Sequence, residues 1–366
     1  MSSITQVLKA IMDIDPARAE IEFEAHDYSW GDLARVVAAI EAALEQLRLP
    51  VDTRVGIMLR NRPGHIAAIL AVLSTDRCIV TLNPILPEDK LVADVVGLCL
   101  PVVIGDETDI VRSGMAEAFA QAGTAVIAIG PRLEGARLVQ GQARAAAEIA
   151  TSPGIAIEML SSGTTGTPKR IPLSRAAFED SFAGFASYGK SGGHSSGPKL
   201  RTGVTMVINP LTHIGGIYGC IAALLNGRKI ALLERFSVEG WVSAVKRHRP
   251  LLAPAVPSAV RMLLEADIDR NDLSSLSGII SGTAPLAPEL VDAFVEKYGV
   301  PILGNYGATE FAGGVAGWTL GDFKQFPTQK RGSVGRINPG IKARVVDAET
   351  GMTELEANVD SLIVVL

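Results

Sequence analysis

Nine consecutive residues combine glycines, hydroxyl side chains and a single cation in a pattern suited to holding an anion. They follow the apolar run 155–160 and read Ser161-Ser162-Gly163-Thr164-Thr165-Gly166-Thr167-Pro168-Lys169. Glycines let the backbone approach an anion closely, hydroxyls and turn amides donate hydrogen bonds, and Lys169 supplies a mobile positive charge. The stretch therefore predicts a phosphate loop, for which a triphosphate is the natural ligand.

The spacing separates this segment from the common nucleotide-binding loop. In that loop the lysine directly follows the second of two more widely spaced glycines, whereas here Gly163 and Gly166 lie close together and Pro168 precedes Lys169. A Ser/Gly/Thr-rich linker is the alternative interpretation. The strand-like run in front of the segment argues against a linker.

Two further polar segments follow predicted strands, and they read Ser281-Gly282-Thr283-Ala284-Pro285 and Asn305-Tyr306-Gly307-Ala308-Thr309-Glu310. Tyr306 offers a flat face for stacking adenine, and the amide of Asn305 has the donor and acceptor that a purine edge needs. The Glu310 carboxylate is a candidate ligand for a hard cation, with a hydroxyl of Thr164 or Thr309 nearby. Ordinary packing of the tyrosine and a solvated glutamate are the alternatives for these two side chains.

These three segments, in this order and separation, resemble the signatures of the adenylate-forming superfamily, which comprises acyl- and aryl-CoA ligases, luciferases and peptide-synthetase adenylation domains. The resemblance implies ATP, Mg²⁺ and coenzyme A as ligands. It implies catalytic roles for Lys169, Thr164, His213 and Glu310, with Thr164 and Glu310 as metal ligands. It also implies a nucleotide site made of Ser161, Ser162, Gly163, Thr164, Thr165, Gly166, Thr167, Lys169, Gly282, Thr283, Ala284, Asn305, Tyr306, Gly307 and Thr309.

An acid-binding pocket is expected around a histidine. The run 210–213 resembles the family segment that precedes the acyl-pocket helix, so His213 is the candidate on the carboxylate side, and a satisfied histidine at a strand-to-helix junction is the alternative. Small residues leave room for an aromatic or extended apolar acid, although they also permit close backbone packing. The predicted pocket consists of His213, Gly215, Gly216, Tyr218, Phe311, Ala312, Gly313 and Gly314.

Short apolar runs alternate with amphipathic stretches, the pattern expected where crossover helices join parallel strands. The predicted strands are 55–59, 78–82, 101–104, 125–129, 204–208, 229–233, 251–253, 278–280 and 301–303. The predicted helices include 63–74, 214–225, 238–248, 257–266 and 287–298. This pattern predicts an α/β fold with two doubly wound, largely parallel sheet subdomains flanked by helices, plus a small β-region at the C-terminal end. The expected limits are 1–150, 151–330 with the nucleotide and acyl site, and 331–366.

Local signals add detail to this fold. The alternation at 21–23 predicts an edge strand, and Ser29 is placed to cap a helix that continues toward Leu47. After the phosphate loop, Ser174 is placed to cap a helix whose N-terminus would point toward bound phosphate. The glycine-rich stretch 187–200 predicts a flexible connection, and His194 within it is expected to be solvated rather than catalytic.

Composition excludes several classes of protein. The net charge of −5 and the lack of a Lys/Arg-rich run argue against a nucleic-acid surface. Three widely separated cysteines, Cys78, Cys99 and Cys220, indicate buried thiols rather than disulfides or a metal cluster, and a reducing cytoplasm is the expected compartment. No stretch is long and apolar enough to predict a membrane span. The sequence leaves open whether the protein forms a homodimer.

The resemblance implies attack of a carboxylate on the α-phosphorus of ATP to give acyl-AMP, followed by thioester formation with coenzyme A. Two alternatives stay open: an adenylation domain that loads a carrier-protein thiol, and a noncatalytic nucleotide- or acyl-binding protein. The segment resembling the family's large domain reaches the end of the sequence, and no counterpart of the C-terminal adenylation lysine is recognised. A fragment of this kind is expected to be weakly active, because loss of one well-placed transition-state donor costs on the order of a hundredfold in rate.

Overall fold

The computed structural model describes residues 4–141, 149–160, 169–188, 197–326, 329–347, 350 and 361–365. Packing of the chain divides it into two units. Unit 1 comprises residues 1–182 and 191–250, and unit 2 comprises residues 183–190 and 251–366. The two units are sets of residues that pack together. The domain limits 1–150, 151–330 and 331–366 stay a prediction.

Unit 1 is built from strands that alternate with helices. Its strands are β1 (Ala19–Phe23), β2 (His26–Ser29), β3 (Arg54–Met58), β4 (Cys78–Leu82), β5 (Val102–Asp106), β6 (Ala125–Ile129), β7 (Ala136–Gln140), β8 (Ile155–Leu160), β9 (Arg170–Ser174), β10 (Val204–Val207) and β11 (Lys229–Leu232). Its helices are α1 (Ile4–Met12), α2 (Trp30–Gln46), α3 (Pro63–Ser74), α4 (Glu88–Leu98), α5 (Glu107–Ile110), α6 (Met115–Ala122), α7 (Arg175–Tyr188, which continues into unit 2), α8 (Ile214–Leu225) and α9 (Val238–His248).

Two sheets form in unit 1. The larger has the order β7-β6-β5-β3-β4-β8-β9, with parallel pairing from β6 through β8 and an antiparallel strand at each edge. The smaller has the order β10-β11-β1-β2, with parallel pairs except for the β1–β2 hairpin. Strands β4, β5 and β6 are buried along their whole length, as parallel strands covered on both faces must be.

Unit 2 is a smaller α/β assembly. It contains α10 (Pro257–Glu265), α11 (Pro288–Tyr298), α12 (Leu320–Gln325), β12 (Leu252–Pro254), β13 (Gly278–Ser281), β14 (Ile302–Ala308), β15 (Gly313–Gly317), β16 (Arg336–Ile337), β17 (Ala343–Asp347) and β18 (Ser361–Val365). The main sheet runs β12-β13-β14-β15-β16, parallel up to β14 and antiparallel beyond it. Strands β17 and β18 form a separate antiparallel pair, the small β-region that the sequence predicts.

The α/β class and the parallel strands are confirmed, with the largely parallel strands distributed over three sheets. The Ser29 cap is also confirmed: its hydroxyl accepts from the amide of Asp32, whose carboxylate accepts in return from the Ser29 amide. The expectation that residues 21–23 form an edge strand is wrong. β1 lies between β11 and β2, because β11 supplies a parallel partner from a distant part of the chain.

The cysteines are all free, and two of them behave as expected. Cys78 and Cys220 are buried, but Cys99 is exposed, which corrects the expectation of a third buried thiol. Cys99 caps the C-terminus of α4 in the left-handed conformation and its thiol donates to the Val96 oxygen at 3.1 Å, while the neighbouring Leu100 is buried. Among the described residues, no helix combines the length and apolarity needed to cross a bilayer.

Candidate active site

Two of the three polar segments lie side by side in unit 2. Strands β13 and β14 are parallel neighbours, and Ser281 at the end of one pairs with Gly304 on the other. A methyl group added to Gly282 would lie 3.1 Å from the main-chain oxygen of Asn305. The segments 281–285 and 305–310 therefore meet at the carboxyl end of the sheet, where open α/β sheets bind ligands.

The backbone around this meeting point is strained. Thr283 has a φ of 71° and Ala312 a φ of 56°, a left-handed conformation that non-glycine residues rarely adopt. Such a conformation costs on the order of 1–3 kcal/mol and persists where the surrounding structure enforces it, most often at ligand sites. Thr283 lies within the first of the two segments, and Ala312 lies two residues after the second.

A glycine-dependent hairpin presents the second segment. Strands β14 and β15 pair so closely that a methyl group on Gly307 would lie 2.3 Å from the Gly313 oxygen, so only glycine fits there. The side-chain amide of Asn338 donates to the Gly314 oxygen at 2.8 Å, and its main-chain amide donates to Val315 at 2.8 Å. The hairpin is thus fixed on both sides.

The turn at the tip of this hairpin carries the candidate metal ligand. Residues Thr309–Phe311 form one turn of 3₁₀-helix, which the Ala312 amide closes by donating to the Thr309 oxygen at 3.0 Å. Glu310 is exposed, and no hydrogen bond or ion pair joins its carboxylate to the described residues. Asn305 is exposed and Tyr306 half-buried, so both side chains have surface to offer a ligand.

The exposed Glu310 carboxylate at this turn is suited to Mg²⁺. The described part of the chain has no cluster of three or more His, Cys, Asp or Glu side chains that would form an all-protein metal cage. Mg²⁺ does not require one, because it is commonly held by one or two carboxylates together with substrate phosphates. A single solvent-facing carboxylate such as Glu310 is suited to that arrangement.

In unit 1, the segment 209–213 leads from β10 into α8 and ends at His213. The His213 amide donates to the Pro210 oxygen at 3.0 Å, and its own oxygen accepts from the Gly216 amide at 3.0 Å. Part of the imidazole surface is exposed, yet desolvation by the surrounding protein lowers the pKa of His213 below 6.5. The ring is therefore neutral at physiological pH.

Three of the predicted pocket residues, Gly215, Gly216 and Tyr218, lie on the first turns of α8, and His213 directly precedes the helix. A methyl group on Gly216 would lie 2.2 Å from the Pro210 oxygen, whereas one on Gly215 would meet only the Asn209 side chain, at 3.4 Å. The ring of Tyr218 stacks on Phe182 at 4.6 Å, and its hydroxyl donates to the Ser181 oxygen at 2.9 Å. Gly216 is thus a packing requirement, and the role of His213, Gly215 and Tyr218 in a pocket with Phe311, Ala312, Gly313 and Gly314 stays a prediction.

The phosphate-loop residues 161–168 lie outside the described residues, as does His194. The strands on either side of this segment pair with each other, with Leu160 at the end of β8 opposite Arg170 at the start of β9. Lys169 is exposed and precedes β9. The Ser174 cap of α7 is present, with its hydroxyl accepting from the Ala177 amide at 3.1 Å, but β9 separates that helix from the loop.

Sequence reasoning missed a polar cluster at the carboxyl ends of the unit 1 strands. Arg60, Asn61 and Arg62 lie just after β3, beyond Leu59, and each binds a buried or half-buried partner from another crossover. Three polar residues after an apolar strand, at the edge where ligands bind in α/β sheets, were the available signal.

Comparison with known proteins places this chain in one family. The family model for AMP-binding enzymes matches residues 10–358. Among curated relatives, 4-coumarate–CoA ligase 5 of Oryza sativa subsp. japonica is 28% identical over 338 residues, covering 89% of this chain and 60% of the relative. 4-Coumarate–CoA ligase-like 9 of the same plant is 27% identical over 360 residues, covering 93% and 62%. The chain thus spans about 60% of the length of these relatives.

Solved structures share the fold at low identity. ATP-bound MatB from Rhodopseudomonas palustris has a TM-score of 0.80 at 22% identity, covering 99% of this chain and 70% of its own. O-succinylbenzoate coenzyme A synthetase (MenE) from Bacillus subtilis, in complex with ATP and magnesium ion, has a TM-score of 0.74 at 19% identity, covering 98% and 70%.

The architecture is that of the large N-terminal domain of adenylate-forming enzymes. The chain belongs to the AMP-binding enzyme family, and the resemblance drawn from its three polar segments is confirmed.

Proposed function

We propose that this protein activates a carboxylic acid with ATP to give acyl-AMP and pyrophosphate, and that the acyl group then passes to coenzyme A as a thioester. The observation that carries the proposal is the meeting of segments 281–285 and 305–310 at the carboxyl ends of β13 and β14. Family membership and the CoA ligases among the relatives support the same reaction.

Each segment has a defined part in this proposal. Tyr306 and Asn305, beside Gly282, Thr283 and Ala284, receive the adenine, with stacking and edge hydrogen bonds as the recognition chemistry. Residues 161–167 and Lys169 hold the triphosphate. Glu310, with Thr164 or Thr309, would hold Mg²⁺, which when bound screens the triphosphate charge.

His213 is proposed to face the acid. A neutral imidazole is suited to this place, because it donates or accepts a hydrogen bond without holding the carboxylate back as a tight ion pair. The acid is an aromatic or fatty one in this proposal, since the first turn of α8 is rich in glycine and the relatives include 4-coumarate–CoA ligase 5 and 4-coumarate–CoA ligase-like 9. Its identity is left to the assay.

The cytoplasm is proposed as the compartment, supported by the free state of Cys78, Cys99 and Cys220. No partner beyond the acid, ATP and coenzyme A is needed for the reaction, and a homodimer is neither required nor opposed by it.

The test is acid-dependent exchange of labelled pyrophosphate into ATP by the purified protein, with a panel of benzoic, cinnamic, medium-chain and dicarboxylic acids. We expect weak exchange with a subset of the panel, and weak thioester formation when coenzyme A is added. If a thioester formed with a carrier protein and not with coenzyme A, the carrier-protein thiol would be the acceptor. Nucleotide binding without exchange for any acid would overturn the catalytic proposal.

A further inference from the structure

Asn61 joins three separate pieces of main chain in unit 1. It lies three residues after the end of β3 and is 4% exposed. Its side-chain amide donates to the oxygens of Asn209 at 3.0 Å and Leu233 at 3.1 Å, and its carbonyl oxygen accepts from the Leu211 amide at 2.8 Å. Both amide hydrogens and one oxygen lone pair are therefore used, which leaves little freedom for the side chain.

These bonds connect the two sheets of unit 1 at their carboxyl ends. Asn61 extends from β3 of the larger sheet, whereas Asn209 follows β10 and Leu233 follows β11 of the smaller one. The Leu233 amide donates in turn to the Val207 oxygen at 3.0 Å. The start of the segment 209–213 is therefore held from both sides.

The segment transmits this restraint to His213. Its turn is closed by the His213 amide bonding to Pro210, and Gly216 packs against the Pro210 oxygen with no room for a side chain. A displacement at Asn209 or Leu211 therefore moves His213 and the first turn of α8 together.

Flanking ion pairs fix the backbone of Asn61 itself. Arg60 binds the buried carboxylate of Asp109 through two hydrogen bonds of 2.6 and 2.7 Å. Arg62 binds the buried carboxylate of Asp106 at 2.7 Å and the half-buried carboxylate of Glu234 at 2.8 Å. The bidentate Arg60–Asp109 pair in particular imposes geometry as well as attraction. Asn61 thus projects from a rigid base.

We propose that Asn61 is a positioning residue that sets the location of His213 and, through it, the recognition of the acid. The part that concerns acid recognition rests on the proposed function, whereas the part that concerns His213 does not. Asn61 touches no substrate in this proposal and acts only through the segment 209–213.

The first experiment needs no turnover. In the unligated protein, NMR follows the imidazole pKa of His213, assigned with His213→Gln, and the hydrogen exchange of the His213 amide. In Asn61→Ala we expect the pKa of His213 to move toward 6.5 and the His213 amide to exchange about tenfold faster. Tenfold is the ratio expected when one to two ordinary hydrogen bonds are lost.

The matched control is Thr124→Val, at the opposite ends of the strands. The Thr124 hydroxyl is buried and donates to the Leu100 oxygen at 2.7 Å, so its loss also removes a buried side-chain hydrogen bond in unit 1. We expect it to lower the melting temperature without altering the two His213 readouts. If Asn61→Ala does not fold, Asn61→Asp replaces it, since it loses the two amide donors and keeps the acceptor for Leu211. Unchanged His213 readouts in a folded Asn61 variant would overturn the proposal.

The second experiment is kinetic. In pyrophosphate exchange we expect Asn61→Ala to raise KM for the acid about tenfold, with KM for ATP within about twofold of the wild type and Thr124→Val altering neither. Equal increases in both KM values would mean a general loss of structure and would overturn the positioning role. If the wild-type protein exchanges with no acid, the proposed function fails, and the NMR result alone then decides whether Asn61 positions His213.

Discussion

A buried carboxyl group makes the stability of this protein depend on pH in a way that one substitution should remove. Glu20 lies on β1, an interior strand, with 1% of its surface exposed. Its Oε1 atom finds no hydrogen-bond partner among the described residues. Burial raises the pKa of Glu20 from 4.5 to about 9, and the charges of Arg18 and Lys229 offset only part of that effect.

The sign follows from the protons bound in each state. Between pH 4.5 and about 9 the unfolded chain has lost the Glu20 proton while the folded protein keeps it, so the free energy of unfolding falls as pH rises. The contribution is complete below pH 4.5 and is lost as pH approaches 9. Each pH unit in this window is worth about 1.4 kcal/mol, so at about pH 7.5, three units above 4.5, the loss is on the order of 4 kcal/mol.

Glu20→Gln keeps the shape and cannot ionise. We expect the variant and the wild type to have similar unfolding free energies near pH 5, and the variant to be more stable by several kcal/mol near pH 8, on the order given by the linkage relation. The assay is urea unfolding at several pH values, followed by the fluorescence of Trp30 and Trp241, which are both fully buried in unit 1.

A control from the same strand should respond in the opposite direction. Glu22 accepts from Arg247 at 2.6 Å and is also bonded to His248, so Glu22→Gln breaks an ion pair and should lower stability near pH 7. Parallel pH–stability curves for the wild type and Glu20→Gln would refute the assignment of a protonated, buried Glu20.

Three further outcomes are expected. Burial lowers the pKa of His65 from 6.5 to about 4. Between these pH values only the unfolded chain binds the proton, so the free energy of unfolding of the wild type should fall by on the order of 3 kcal/mol from pH 6.5 to pH 4. In urea unfolding, His65→Phe should not show this fall. Gly307→Ala places a methyl group against the Gly313 oxygen and should weaken ATP binding by calorimetry while lowering the melting temperature, at a cost of about 1–3 kcal/mol. Glu310→Gln should leave the melting temperature unchanged, because its carboxylate is exposed, and should reduce pyrophosphate exchange about a hundredfold with a higher Mg²⁺ requirement.

Local signals in the sequence were enough for several helices. Residues 63–74, 214–225 and 238–248 are helical over the predicted ranges. Their starts are determined by nearby residues: Pro63 occupies the first turn of α3, and the Ser237 hydroxyl accepts from the Gly240 amide at 3.0 Å to cap α9. Such signals act within a few residues and are visible without the fold.

Strands that depend on distant partners were harder to predict. β1 has a short alternating sequence typical of an edge, and only its pairing with β11, some two hundred residues away, makes it interior. β15 reads Gly-Gly-Val-Ala-Gly, which has little intrinsic strand preference, and it forms because β14 and β16 pair with it on either side. In both cases tertiary pairing outweighs local preference.

The candidate site also has one feature that could be predicted from the sequence and one that could not. The meeting of segments 281–285 and 305–310 follows the rule that neighbouring parallel strands end at one edge of the sheet, so it could be inferred once both segments were placed after strands. The role of Asn61 could not be predicted in this way, because Asn209, Leu211 and Leu233 offer only main-chain groups to it. A bond to the backbone places no constraint on the partner's side chain and leaves no pattern in the sequence.

In the proposed reaction, the site residues would act by positioning rather than by proton transfer. A carboxylate that attacks a triphosphate brings two anions together, and the reaction gains most from fixed donors and a held geometry. His213 is neutral at physiological pH, and Glu310 stands on a turn fixed by main-chain hydrogen bonds. In unit 1 the segment that carries His213 is bonded to Asn61, and in unit 2 Asn338 is bonded to β15, the hairpin partner of the strand that leads to Glu310. Substituting either asparagine should therefore impair the reaction through geometry while leaving every proposed substrate contact chemically intact.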